Sequence, residues 1–282
     1  MEKSRRKELE TLSLDLRKDV VDMIMKSGSG HIGGDFSVME TLVTLYFEQM
    51  NISPEKKDDP NRDYFILSKG HSVESYYAVL AKKGFFPRQE VVNTFSKFGS
   101  KFTGHPNNEL DGIEMNSGSL GHGLPVSVGI ALGCKKDGRK NRTYVVMGDG
   151  ELAEGSVWEG FMAAGHYKLN NLCAVVDRNR LQISGTTEEV MTHENLHEQI
   201  KSFGWNVIEV NGNSIEEMNN AFEEAKKVIN KPTCIIANTI KGFGGGKVME
   251  NKASWHHHVP NEEEYKMIMK AIDETKEAVS NE

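Results

Sequence analysis

Short apolar runs alternate with helix-forming segments along most of the chain, and this alternation restricts the fold more than any other feature. The apolar runs predict strands at 64–67, 143–147, 172–176, 205–210 and 233–239. Apolar strands that are separated by helices form a mostly parallel sheet with helices on both faces. The sequence therefore predicts an α/β fold that binds ligands at the carboxyl ends of its strands.

The helices are predicted from apolar spacing and from capping residues. The first is predicted over 12–25. Ser37, followed three residues later by Glu40, is interpreted as a capping box that begins a second helix. The stretch 260–282 is predicted as a charged, exposed helix. The 282 residues suffice for one large domain or two small ones.

Composition argues against several classes of protein. A formal net charge of −7, with scattered lysines, argues against nucleic-acid binding. No apolar run reaches the roughly 18 residues of a membrane span, and the charged amino terminus lacks the apolar core of a secretion signal. Cys134, Cys173 and Cys234 form no Cys-x-x-Cys pair. This pattern is typical of buried thiols, and we expect a cytoplasmic protein.

Polar residues follow two consecutive strands. Strand 143–147 leads into Gly148-Asp149-Gly150, and the next strand ends in Asp177-Arg178-Asn179. Because the strand ends meet at one edge, the Asp149 carboxylate, the Asn179 amide and the Leu181 carbonyl are expected to surround one point. Such oxygen ligands suit Mg²⁺ or Ca²⁺ holding a diphosphate. The motif Gly-Asp-Gly alone is more often a turn, and the asparagine at the next strand end is what favours the metal site.

Four histidines lie in short glycine-flanked loops: His31, His71, His105 and His256. A single loop histidine is usually a surface residue, whereas four at predicted strand ends or helix starts indicate a site that handles hydroxyls and protons near neutral pH. The three consecutive histidines in Trp255–His258 also suggest a zinc site as an alternative. Consecutive side chains on an extended segment point in alternate directions, which disfavours chelation by all three.

Several dispersed motifs, taken together and in order, resemble the transketolase family of thiamine-diphosphate enzymes. The segment from Asp149 to Asn179 resembles the family's cofactor motif. Further matches lie at 30–34, SKGH 68–71, TGHP 103–106, GSLGHG 118–123 and 241–256. The resemblance covers about 12–260. It implies that 1–282 is a single diphosphate-binding domain of the thiamine-diphosphate-binding fold.

The resemblance also implies roles for individual residues. The catalytic set, which contacts substrate oxygens or assists proton transfer, would be His31, His71, His105 and His256. The residues expected to bind thiamine diphosphate are Lys69, His71, Gly118, Leu120, Gly150, Glu151, Asn179, Lys241 and His256. The Mg²⁺ ligands, with Ca²⁺ or Mn²⁺ as substitutes, would be Asp149, Asn179 and Leu181.

Three positions depart from the family pattern. His122 stands where many members have glutamine, and His257 stands where glycine is usual. Gly34 replaces a small hydroxyl residue that is present in some members, which removes one contact. The sequence assigns no role to His122, His257 or His258.

Glu154 and Glu159 lie on the helix after the acidic loop. Carboxylates near a helix amino terminus are commonly explained by the helix dipole. The resemblance instead places both at an interface between two copies of the chain, where close carboxylates would trap a proton.

Transketolases need a glutamate from a pyrimidine-binding domain, which is expected to lie on another polypeptide because the sequence ends at 282. The chain is therefore interpreted as the N-terminal subunit of a split transketolase, assembled as α2β2 and inactive without a C-terminal subunit. The implied reaction transfers a two-carbon ketol unit from a ketose, by default phosphorylated, to an aldose.

Other functions remain open at this point. The donor could be a specialised sulfonated or branched ketose. A 2-oxoacid dehydrogenase α-type subunit or a deoxyxylulose-phosphate-synthase-like subunit shares the Asp149 and Asn179 pattern. The motifs SGH at 29–31 and TGHP at 103–106, with the Lys241 and His256 arrangement, favour transketolase. A regulatory subunit without catalysis is disfavoured because the candidate site residues are intact.

Overall fold

One sheet of five parallel strands organises the computed structural model, which describes residues 1–193 and 195–281. The strands of the chain are β1 Tyr64–Leu67, β2 Thr143–Gly148, β3 Leu172–Arg178, β4 Leu181–Gln182, β5 Gly185–Thr186, β6 Asn206–Asn211 and β7 Thr233–Asn238. The sheet has the order β1-β2-β3-β7-β6, while β4 and β5 form a separate antiparallel hairpin. The α/β fold expected from the alternation of apolar runs is confirmed.

Helices connect the strands and cover the sheet. They are α1 Lys3–Ser27, α2 Ile32–Thr44, α3 Val73–Lys83, α4 Arg88–Thr94, α5 Gly123–Lys136, α6 Gly155–His166, α7 Thr187–Val190, α8 Leu196–Ser202, α9 Ile215–Lys227 and α10 Glu262–Asn281. Short helical turns lie at Leu45–Gln49, Pro54–Lys56, Gly70–Ser72, Gly150–Ala153 and Ala253–Trp255. Among the described residues, no helix combines the length and apolarity needed to cross a bilayer.

Strand β2, which lies inside the sheet, shows why consecutive positions 144–147 are all apolar. Tyr144 and Val146 belong to one buried core, together with residues of α1, α2, α3, α9 and α10. Val145 and Met147 belong to a second core with residues of α5, α6 and α8. Because both faces of the sheet are covered, alternate side chains enter different cores and none needs to be polar.

The predicted capping box at Ser37 and Glu40 is wrong. Helix α2 already begins at Ile32, so both residues lie inside it. The Ser37 hydroxyl donates to Asp177 (2.7 Å), and Glu40 forms a buried ion pair with Arg17. Their side chains thus serve tertiary contacts, a use that local spacing does not reveal.

The predicted C-terminal helix exists but is not fully exposed. Its described part, α10, packs one face on α1 and buries Ile268 and Ile272. Lys276 adds an ion pair to Asp15 (2.5 Å). Glu282, the last residue of the predicted segment, lies outside the described residues. The apolar positions of α10, four residues apart, are the signal that its charge content obscures.

Candidate active site

Neighbouring strand ends supply the polar residues of the site. Lys69 follows β1, Asp149 follows β2, Asn179 follows β3 and Lys241 follows β7. These four strands are adjacent in the sheet and run in one direction, so their carboxyl ends share one edge. The topology therefore gathers these residues at the place where parallel sheets bind ligands.

Asp149 and Asn179 meet at this edge, as the sequence predicts. The Asp149 carboxylate accepts the backbone N–H of Gly150 (2.9 Å) and of Arg180 (2.5 Å). The Asn179 amide oxygen accepts the N–H of Leu181 (3.1 Å). The Asp149 side chain is thereby fastened to the backbone immediately after Asn179, and both side chains are buried.

The donor set at this edge suits a hard divalent cation. Burial, followed by repulsion from Asp177, raises the pKa of Asp149 to about 6. A cation beside the carboxylate would offset that cost. Among the described residues, no three His, Cys, Asp or Glu side chains are grouped to hold a metal. A metal here would thus depend on one carboxylate with amide and backbone oxygens, which are ligands that Mg²⁺ and Ca²⁺ accept. The same result gives no support to zinc binding at Trp255–His258.

Asp177, which the sequence analysis did not nominate, connects several side chains of the site. It is buried and accepts hydrogen bonds from Ser37 (2.7 Å), from the Lys69 ammonium (2.5 Å) and from the Thr239 hydroxyl. Burial alone would raise the pKa of Asp177, but attraction to Lys69 and these hydrogen bonds hold it below the usual value. Lys69, nominated for the cofactor's diphosphate, therefore has a carboxylate partner within the protein.

Lys241 is the second buried cation of the site. Its ammonium donates to the Leu181 carbonyl (3.3 Å) and lies 3.1 Å from Nδ1 of His256. Burial, followed by repulsion from Lys69, lowers the pKa of Lys241 to about 8. An anionic ligand would stabilise the charged form of this ammonium.

The four predicted histidines form one cluster around His31. Ring centroids lie 5.4 Å from His31 for His71, 5.8 Å for His256 and 6.2 Å for His105. The rings of His71 and His256 are 5.0 Å apart. Residues far apart in the chain thus converge, which supports their assignment to one site. His257, to which the sequence assigns no role, also contacts His31.

The histidines of this cluster are neutral at pH 7. Burial, and to a smaller extent repulsion from His257, lowers the pKa of His31 to about 4. Burial, and to a smaller extent repulsion from the Lys241 ammonium, lowers the pKa of His256 to about 3. Burial is also the largest cause of the lowered pKa values of His71 and His105. Neutral imidazoles can both donate to and accept from hydroxyl groups, as sugar recognition requires.

Glu151 joins three loops at the cavity. Its buried carboxylate accepts the N–H of Gly121 (2.8 Å) and of Gly148 (3.1 Å), and the Ser68 hydroxyl. Burial raises the pKa of Glu151 despite these hydrogen bonds. The side chain therefore braces the loops after β1 and β2 and the loop that leads into α5.

A cavity of about 360 Å³, called here the central cavity, lies among these groups. It is lined by Gly34, Lys69, His71, Gly118, Leu120, Gly148, Asp149, Gly150, Glu151, Asn179, Leu181, Gln182, Ile183, Ser184, Lys241 and His256. All the nominated cofactor-binding and metal-binding residues belong to this lining. One hydrogen-bond donor in this lining is unsatisfied: Nε2 of Gln182 is buried without a hydrogen-bond partner among the described residues. A phosphate oxygen could accept from it, so the residues present fit a metal-bound diphosphate.

Other nominated residues lie outside the cavity. Glu154 and Glu159 are exposed at the start and middle of α6. His122 is exposed and its Nδ1 lies 3.2 Å from the Leu120 carbonyl oxygen. A groove of about 450 Å³ beside Trp158 is larger than the central cavity but contains none of the nominated residues. Volume alone does not identify the central cavity, because a groove of about 570 Å³ beside Asn179 and Leu181 is larger than both.

Known proteins resemble this chain over nearly its whole length. A family model described as transketolase, thiamine diphosphate binding domain, matches residues 10–278. One subunit of the apulose-4-phosphate transketolase of Phocaeicola vulgatus is 46% identical over 278 residues, which are 98% of this chain and 98% of that relative. A 6-deoxy-6-sulfo-D-fructose transketolase subunit of Clostridium sp. is 39% identical, over 92% of this chain and 94% of that relative.

Longer relatives match over part of their length. Human transketolase is 39% identical over 86% of this chain but only 38% of its own length. A crystal structure of transketolase from Pichia stipitis, in complex with sedoheptulose-7-phosphate, superposes with a TM-score of 0.84 at 28% identity. That match covers 98% of this chain and 45% of the yeast chain. The chain thus belongs to the transketolase family, and it corresponds to the family's thiamine-diphosphate-binding domain.

Proposed function

We propose that this chain is the diphosphate-binding subunit of a two-polypeptide transketolase. The relatives that it matches over almost their full length are named as subunits of such enzymes. The full-length transketolases have more than half of their length outside the matched part. A second polypeptide that carries the pyrimidine-binding and C-terminal domains would complete the enzyme, with two copies of each subunit.

The observation that carries the proposal is the meeting of Asp149 and Asn179 beside the central cavity. Asp149, Asn179 and the Leu181 carbonyl would hold Mg²⁺. Lys241 and the unpartnered amide of Gln182 would contact the diphosphate. Gly118 and Leu120 also line the cavity, and the ring system would lie against them. Thiamine diphosphate, when bound, supplies the carbanion chemistry that breaks and remakes the substrate's carbon–carbon bond.

The chain's own residues would orient the sugar and exchange protons with it. The neutral rings of His31, His71, His105 and His256 can accept a hydrogen bond from one sugar hydroxyl and donate one to another without becoming charged. Burial around the cluster limits competition from water. His31, at the centre of the cluster, would contact the reacting part of the substrate.

The substrate would be a ketose with an anionic group, by default a phosphate. Two relatives of this chain are named for apulose-4-phosphate and for 6-deoxy-6-sulfo-D-fructose, a branched and a sulfonated sugar. Both names support a specialised donor as the second candidate. The three cysteines are buried and unpaired, which supports work in a reducing cytoplasm.

Reconstitution tests the proposed function. The chain is mixed with a co-encoded second subunit, thiamine diphosphate and Mg²⁺, and transfer of a two-carbon unit between sugars is measured. We expect transfer only when both subunits are present, and loss of cofactor binding by calorimetry in Asp149→Ala. Asp137→Ala, which removes an exposed carboxylate paired with Arg139 (2.8 Å), is the matched control. Decarboxylation of a 2-oxoacid without sugar transfer, or robust turnover by this chain alone, would contradict the proposal.

A further inference from the structure

His257 is the imidazole nearest to the centre of the histidine cluster. Its ring centroid lies 4.7 Å from that of His31, in an edge-to-face arrangement. The three other rings around His31 lie between 5.4 and 6.2 Å away. His257 is exposed, whereas His31 is partly buried. His257 therefore lies on the outer side of His31, between the cluster and the solvent.

The backbone around His257 is held on both sides. His256 lies against the Lys241 ammonium (3.1 Å), and Nε2 of His258 lies 2.9 Å from the Glu264 carboxylate. The backbone of His258 forms a parallel bridge with His31. These contacts fix the short segment against the amino end of α2, so the fold places residue 257 beside His31.

The ring of His257 has unused hydrogen-bonding capacity. Among the described residues its ring contacts His31, and neither ring nitrogen has a hydrogen-bond partner. No group of three His, Cys, Asp or Glu side chains in the described ranges could recruit it for a metal. An imidazole that is positioned by its backbone, open to the solvent and unpartnered can contact a ligand at the entrance of the site.

We propose that His257 is a fifth substrate-facing imidazole, which hydrogen-bonds a sugar hydroxyl on the outer side of His31 and thereby strengthens binding of the acceptor. This inference rests on the proposed function. A contact of this kind holds the part of the sugar away from the reacting carbons, so its loss would weaken binding more than it would slow the chemistry.

Kinetics of the assembled subunits test this assignment. Hydroxypyruvate is the donor, and D-ribose 5-phosphate and D-ribose are the acceptors. For His257→Ala we expect KM for both acceptors to rise about five- to ten-fold, the loss of one or two hydrogen bonds, with kcat within about two-fold of wild type. His257→Gln, which can still hydrogen-bond, should recover part of the loss.

The control is His197→Ala, which removes a histidine of α8 that pairs with Glu209 (2.8 Å) and is not part of the cluster. It should leave KM unchanged. Transfer by the wild-type subunits is measured first and tests the proposed function separately. If the wild-type enzyme is active and His257→Ala has normal KM values, His257 does not contact the substrate. A rise confined to D-ribose 5-phosphate would also overturn the assignment, because it would identify an anion contact in place of a hydroxyl contact.

Discussion

The Ser72 hydroxyl occupies the space that the absent side chain of residue 34 leaves. A Cβ placed on Gly34 would lie 2.8 Å from Ser72 Oγ, and it would also come close to Lys69 and His71. The hydroxyl is fully buried, yet it has no hydrogen-bond partner among the described residues. A buried, unsatisfied hydroxyl costs stability, on the order of 1 kcal/mol. Gly34, next to this hydroxyl, lines the central cavity, so we expect a bound ligand to reach Ser72 Oγ in place of the hydroxyl missing at residue 34.

Ser72→Ala should change stability and ligand binding in opposite directions. Removing the unsatisfied hydroxyl should raise the free energy of unfolding by up to about 1 kcal/mol and weaken thiamine diphosphate binding about five-fold. Urea unfolding of the chain and calorimetric titration of the assembled subunits with Mg²⁺ measure the two effects. Ser75→Ala is the control, because the Ser75 hydroxyl already donates to the Ser72 carbonyl (2.9 Å). That variant should lose stability and bind normally, and unchanged binding in Ser72→Ala would refute the ligand role.

Asp35 and Glu74 form a buried carboxyl pair beneath His31. Burial raises the pKa of Asp35 to about 6, and burial followed by repulsion from Asp35 raises the pKa of Glu74. Asp35 accepts the N–H of Ser75 (2.8 Å), and Glu74 accepts the N–H of His31 (3.1 Å). The folded state therefore retains protons that the unfolded chain releases near pH 4, so this pair costs stability as pH rises from about 4 through 6.

Asp35→Asn should remove part of that pH dependence. The amide keeps an oxygen for Ser75 but cannot ionise. Relative to wild type, we expect little gain in the free energy of unfolding at pH 4 and a gain on the order of 2 kcal/mol at pH 8. Urea unfolding across this range measures the difference, with the exposed Asp137→Asn as control. Parallel pH profiles for Asp35→Asn and wild type would show that the pair is not protonated in the folded state.

A buried ion pair joins two helices to the segment that leads to Lys241. Arg17 of α1 makes two hydrogen bonds of 2.7 Å to Glu40 of α2, and the two side chains are 1% and 5% exposed. Asn213 lies 3.4 Å from Glu40 and accepts the N–H of Ile240 (2.8 Å). The ion pair thus holds α1 against α2, and Asn213 connects Glu40 to the backbone of Ile240, the residue before Lys241.

Breaking this pair should be far more costly than removing it. Arg17→Met leaves Glu40 charged and buried, so we expect a loss of about 3–5 kcal/mol in the free energy of unfolding. The double variant Arg17→Met/Glu40→Leu should recover most of it. Urea unfolding provides the double-mutant cycle. The exposed pair Lys201–Glu198 is the comparison, for which about 0.5 kcal/mol is expected. Additive losses in the Arg17 and Glu40 variants would contradict coupling between them.

The main strands were predictable from sequence, whereas several short or charged elements were not. Apolar runs locate all five strands of the sheet to within one or two residues, because a strand buried on both faces leaves an unbroken signal. The short β4, β5 and α7 carry no periodicity. Within the site, Asp149 and Asn179 were predictable because their strands are consecutive. Asp177, Gln182 and Ser72 were not, since their importance depends on partners from distant parts of the chain.

At the scale of the whole molecule, α5 and α6 present an uncovered face. Val126 is 39% exposed and Met162 is 57% exposed, both large for apolar side chains. Two glycines of α5 and Glu159 of α6 are also exposed on these packed helices. Small and apolar residues on adjacent helices allow close approach by another surface. This face includes Glu159 and adjoins Glu154, both predicted from sequence to lie between two copies of the chain.

Met162→Glu should therefore prevent pairing of two copies through this face. A buried, unpaired carboxylate costs several kcal/mol, and a symmetric interface would contain it twice. Sedimentation velocity of the chain with its second subunit should show an assembly with one copy of each subunit instead of two. Ile229→Glu is the matched control, because Ile229 is 75% exposed just beyond α9 and is not part of the face. If Met162→Glu assembles like wild type, the α5–α6 face is not the interface, and the proposed place of Glu154 and Glu159 between paired sites is wrong as well.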